Sequence, residues 1–171
     1  MLISKIMEKM IAFSEGNIHD IDHLIRVWTY ARTMGELEGL DGETQLVLEA
    51  AAIVHDIACP LCREKYGNTN GKHQETEGAP MAKEFLADSG LTDGQIERVA
   101  YLVGHHHTLS DIEGMDHQIL IEADALVNLR ENNASWHDIY YTYQIFFQTE
   151  AGKARMKELY FNNTVQEEQK P

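Results

Sequence analysis

Three separated segments carry polar side chains where helical patterning calls for a core: His23, the doublet His55-Asp56, and Asp124. Imidazole and carboxylate are the common protein ligands of divalent transition metals. Burying a carboxylate without a cation or strong donors costs on the order of several kcal/mol. His55 follows the apolar run Ala50-Ala51-Ala52-Ile53-Val54, so the doublet lies deep. Adjacent helical residues point about 100° apart. His55 and Asp56 therefore meet at one ion only where a helix ends. Asp124 is embedded in the apolar stretch 119–127; alone, an ion pair with Arg26 or Arg130 would account for it. His23 shares a helical face with Val27 and Ala31, and alone it reads as a core histidine. Glu122 points off another face from Asp124 and reads as a surface or supporting residue.

Taken together, the segments are more specific than any one of them. His-x-x-Arg-Val at 23–27, His55-Asp56, and Asp124 within Glu-Ala-Asp-Ala-Leu resemble the HD superfamily of metal-dependent phosphohydrolases over about residues 17–131. The resemblance implies an all-α, single-domain bundle of the HD type, with a metal held by His23, His55, Asp56 and Asp124. Arg26 matches the motif arginine, whose implied role is structural pairing. Some members carry a second ion on additional histidines. The candidates here are His73, with Glu77 one turn on, and His106 within His105-His106-His107, with His107 next in line. The family's cyclic-dinucleotide branch is disfavoured, because its Gly-Tyr-Pro is absent and the step from His55 to His73 is short.

The implied chemistry is hydrolysis of a phosphate ester, on a small nucleotide or phosphorylated metabolite, by metal-activated water. Asp56 is the central carboxylate, shared by both ions if two are bound. His107, Glu77 and Lys72 are candidates for protonating the leaving group, and Arg63, Lys65 and Lys72 surround a loop that could cover the site. One or two ions of Mn, Fe, Co, Ni or Zn suit this mixed ligand set better than Mg or Ca. The alternatives are a di-iron oxygenase on the same scaffold, or a binding module for metal or nucleotide that turns nothing over.

Positioning these residues requires helices nearly throughout. A first amphipathic helix carries Ile3, Ile6, Met7 and Met10. A second, with N-cap chemistry at 17–20, runs to about Gly39 and holds His23. A third opens at Asp41-Gly42-Glu43; it is apolar almost all round, which marks a central helix, and it ends at the doublet. Residues 58–72 hold Pro60, Gly67 and Gly71 and are expected as a loop, with Cys59 and Cys62 as plain loop or packing residues. Further helices are expected over about 75–89, 94–106 and 117–130, then from Ser135, and over 149–161. One domain over 1–161 with a polar tail over 162–171 is the resulting organisation. The aromatic stripe from Trp136 to Phe147 reads as core packing, with a homodimer face as the second possibility.

The formal net charge is −14, from 28 acidic and 14 basic side chains. That sign argues against a nucleic-acid polymer as partner, because such binding needs Lys and Arg on phosphates. A small phosphorylated substrate stays compatible, since a bound metal reverses the local sign. No apolar run approaching the roughly 20 residues of a membrane span and no secretory leader are recognised, so the expected compartment is the cytoplasm.

Overall fold

A computed structural model describes residues 2–162, and among them no strand occurs. The helices are α1 (Leu2–Phe13), α2 (Ile18–Leu37), α3 (Gly42–Val54), α4 (Cys59–Tyr66), α5 (Gly71–Leu86), α6 (Asp93–Val103), α7 (Met115–Glu131), α8 (Trp136–Phe146) and α9 (Glu150–Met156). α9 continues into one π-helical turn, Lys157–Phe161. The starts follow ordinary capping chemistry. Asn17, Asp41, Asn70, Thr92, Ser135 and Thr149 each accept a backbone N–H of the first turn, relieving donors that have no intrahelical partner.

α3 is the central element. Residues 47 to 54 are all buried, and α3 packs against α1, α2, α6 and α7. α2 and α7 also pack on each other. The three elements that carry His23, the doublet and Asp124 are therefore mutual neighbours. The stretch Gly42–Tyr66 is long and apolar enough on mean hydropathy alone to cross a membrane, but its apolar residues are interrupted by charged ones and 72% of its most apolar window is buried within the molecule.

Two expectations change. The anticipated 58–72 loop contains α4. Pro60 sits in its first turn, where a missing N–H costs nothing. Gly67 ends it in the left-handed region at φ 70°. Cys59 and Cys62, one turn apart, are buried free thiols, and burial pushes both thiols up. The aromatic stripe is not core packing along its length. α8 has no buried residue; Trp136, Tyr140, Tyr141 and Ile145 are exposed, while Tyr143 and Phe146 pack against the core and Phe147 is buried. The tail expected after Asn162 lies outside the described residues.

Candidate metal centre

His23 projects from the second turn of α2 and Asp124 from the middle of α7, while His55 and Asp56 stand just past the end of α3. The backbone is no longer held there by a full helical ladder, and the two neighbouring side chains turn to one point. His23 Nε2 lies 3.2 Å from His55 Nε2 and 3.2 Å from Asp124 Oδ1. His55 Nε2 is 3.5 Å from Asp124 Oδ1. Asp56 completes the group, with Oδ2 3.6 Å from His23 Nε2 and Oδ1 3.7 Å from His55 Nε2. Donors bound at about 2.0–2.2 Å to one ion, at angles of about 90–110°, stand roughly 2.9–3.5 Å apart. The five spacings match or slightly exceed that range, so these donors could hold a metal ion. Asp56 is its most exposed member, with 29% of the side chain accessible, against 8% for Asp124 and none for His55.

A second cluster adjoins the first. His106 and His107 follow the end of α6, and with Asp56 they present donor atoms within 4.8 Å of one another. His106 donates Nδ1–H to the Val103 carbonyl at 2.8 Å. Its Nε2 is buried without a hydrogen-bond partner and faces Asp56 Oδ1 at 3.5 Å. A lone pair facing a carboxylate in a buried site needs a proton or a cation between them. His107 lies against His106 at 4.0 Å between ring centroids and against the backbone of Gly71, where a Cβ would fall 2.8 Å from the ring.

The electrostatics match this crowding. Burial lowers the pKa of His23, but hydrogen bonding to Asp124, the charges of Asp56 and Asp124, and Glu131 more than reverse this and raise it to about 9. Desolvation likewise opposes ionisation of Asp56 and Asp124. The facing imidazoles outweigh it, His55 and His106 for Asp56 and His23 and His55 for Asp124, and hold both carboxyls well below the usual range. His106 is raised, chiefly by Asp56 acting against desolvation. His107 is lowered to about 4, by desolvation first and by His106 second, although part of its ring still meets solvent in the cavity.

His23, Asp56, His106, His107 and Asp124 line an open cavity of about 920 Å³. Its lining includes His19, Asp20, Arg63, Gln74 and His107 and, from α7 to α8, Asn128, Asn132, Asn133, Ser135, Asp138 and Thr142. Among the described residues, Arg63 is the one Lys or Arg in the lining, and its guanidinium is paired with Asp20.

His73, Glu77 and Lys72 are not brought to this cluster. The core-facing positions of α5 are Gln74, Glu75, Gly78 and Ala82, which turns His73 and Glu77 toward α4. His73 stacks on Tyr66 at 3.9 Å. Glu77 accepts from Lys65 Nζ at 2.7 Å and from Tyr66 Oη at 2.6 Å. Lys72 is exposed outside the cavity lining. His105 stacks on Tyr101 and bonds the Tyr101 carbonyl.

Other residues escaped the sequence reading. Asn128 donates to Asp124 Oδ1 at 2.8 Å. Glu131 accepts from His23 Nδ1 at 2.9 Å and from Arg26 at 3.1 Å. The spacing 124, 128, 131 places all three on one helical face, and that was the available signal. Arg26 accordingly pairs with Glu131, not with Asp124. Glu122, expected at a surface or in support, is fully buried and holds the Gln148–Thr149 backbone ahead of α9.

An all-helical domain with a His/Asp cluster open to a cavity is the class that fold and site define. The HD domain family matches residues 20–141; the chain belongs to that family. A crystal structure of a predicted HD superfamily hydrolase from an uncultured Thermotogales bacterium is similar in fold, with TM-score 0.67 and 23% sequence identity over 97% of this chain and 88% of the other. No relative was found among curated proteins.

Proposed function

We propose that this protein hydrolyses a phosphate ester of a small phosphorylated molecule, a nucleotide or another metabolite. The observation that carries the reading is the convergence of His23, His55, Asp56 and Asp124 beside the unpartnered Nε2 of His106, at an open cavity. His23, His55, Asp56 and Asp124 would hold one divalent ion, and Asp56, His106 and His107 a second. Such ions, when bound, polarise a phosphoryl oxygen and make water a nucleophile near neutral pH.

The chain's own groups supply the rest. Asp56, the most accessible of the four at 29% of its side chain, can be shared by both positions. His107 offers a ring nitrogen at the wall where the phosphoryl group would lie. Arg63 supplies positive charge at the cavity side, once a phosphate competes with Asp20 for it. The amide- and hydroxyl-bearing wall of Asn128, Asn132, Asn133, Ser135 and Thr142 suits an uncharged polar leaving group such as a sugar.

Phosphate release is to be screened over phosphomonoesters and phosphodiesters, with Mn, Fe, Co, Ni or Zn added and Asp56→Ala as control. Metal-dependent turnover that disappears in Asp56→Ala is the expected result. Metal-replete protein that releases no phosphate from any class defeats the proposal, and iron-dependent oxygen uptake in its place would assign an oxygenase.

A further inference from the structure

We propose that Glu131 is the positioning residue of the metal centre, fixing the plane and tautomer of His23 and strengthening its Nε2 as a ligand. The inference rests on the metal-ligand reading of His23. Each of the three buried imidazoles of the centre, His23, His55 and His106, presents Nε2 inward, and each is held by a hydrogen bond from Nδ1. His55 donates to Ala52 O at 2.9 Å and His106 to Val103 O at 2.8 Å. Both acceptors are carbonyls three residues back at a helix C-terminus, where the last carbonyls have no intrahelical partner. His23 has no such carbonyl available, because it lies inside α2, where the carbonyls are used by the ladder. It takes its acceptor from another helix, the carboxylate of Glu131 at 2.9 Å.

Glu131 stands where a carboxylate is otherwise disfavoured. It is the last residue of α7, at the negative end of the helix dipole, with 13% of its side chain accessible. Its two oxygens are divided: Oε2 accepts from His23 and Oε1 from Arg26 at 3.1 Å. Arg26 follows His23 by three residues, so both reach α7 from the same face of α2. The His-x-x-Arg spacing is thereby explained: the arginine compensates the charge and fixes the carboxylate plane, and the carboxylate fixes the imidazole. A carboxylate on the far nitrogen of a ligating histidine raises its basicity, and loss of such a partner typically lowers metal affinity about 10–100-fold. Of the three imidazoles, His23 is the one whose orientation a side-chain substitution can release.

The test is metal affinity, read by chelator competition and by the visible spectrum of the cobalt-loaded protein. Variants Glu131→Ala, Glu131→Gln and, as a stability control, Val27→Ala are compared. Val27 is a fully buried α2 residue whose truncation loosens packing without removing a hydrogen bond. Glu131→Ala is expected to weaken cobalt binding about 10–100-fold and to alter the spectrum. Glu131→Gln, which can still accept from Nδ1–H, should recover part of the affinity. Val27→Ala should lower the thermal midpoint and leave the spectrum unchanged. Wild-type affinity in folded Glu131→Ala, or an equal loss in Val27→Ala, overturns the assignment. Failure of the wild type to bind cobalt would instead strike the metal-centre reading beneath it.

Discussion

Oδ1 of Asp56 lies 3.5 Å from Nε2 of His106, and that nitrogen has no hydrogen-bond partner. The same carboxylate reaches His23 through its other oxygen. Asp56 is therefore common to two donor groups, whereas His106 belongs to one. His106→Ala is expected to lose the second ion and keep the first, binding half the metal of the wild type by elemental analysis, and Asp56→Ala should bind less again. His106→Ala with an undiminished metal content would show that this orphan nitrogen ligates nothing.

Glu77 and Lys72, drawn into the chemistry by sequence spacing, lie away from the centre. Substitutions away from the core and from special features usually shift stability by no more than about 0.5 kcal/mol, and neither side chain lies among the donors of the centre. Glu77→Gln and Lys72→Ala should therefore keep the full metal content and kcat/KM within about twofold of wild type. For Glu77→Gln, the loss of its bonds with Lys65 and Tyr66 should appear only as a modest fall in thermal midpoint. A tenfold loss of turnover in either variant would mean that α5 moves toward the cavity when substrate binds.

The parts legible in the sequence are those where two independent signals coincide. His55, Asp56 and Asp124 combine a chemically distinctive side chain with an apolar run that has no other use for it, and the helices carrying them have clear periodicity and caps. Pro60 concealed α4, because a residue that breaks a helix interior is harmless in a first turn. Glu131 was hidden because its partner, His23, is distant in sequence. Glu122 was misplaced because the helical-face rule assumes an open side. α7 has none along most of its length, being buried almost throughout, with the start of α9 closing over Glu122.

Glu122 is the structural counterpart of that closure. It accepts from Gln118 Nε2 at 2.8 Å, the Gln148 amide at 2.6 Å, the Thr149 amide at 2.9 Å and the Thr149 hydroxyl. Each buried donor left unpaired costs about 1–3 kcal/mol. Glu122→Ala should thus destabilise by about 3–5 kcal/mol in urea titration. Gly152→Ala should act through the same group, since its Cβ would fall 1.9 Å from Glu122 Oε2. A loss below about 1 kcal/mol in Glu122→Ala would show that water replaces these bonds, against the burial described.

His117 carries a pH dependence of determined sign. It is completely buried; Nε2–H donates to the His105 carbonyl at 3.0 Å, and Nδ1 accepts from the Glu113 amide at 3.2 Å. The neutral tautomer is thereby fixed, because a second ring proton would point at an N–H. The groups facing it are Arg98 and Asp116, which form an ion pair, with His105 and the Tyr101 ring. Desolvation lowers its pKa, His105 and Arg98 add to this, and Asp116 and the His105 carbonyl oppose it only in part. Above an unfolded pKa of about 6.5 both states are neutral and pH has no effect through this residue. As pH falls below that value, the unfolded chain takes up a proton that the folded chain refuses, so stability is lost. His117→Gln removes the titration. In chelator, the stability advantage of wild type over His117→Gln should therefore shrink on going from about pH 7.5 to about pH 5, and an advantage that stays constant over that interval would show that His117 protonates as readily in the folded protein as in the unfolded chain.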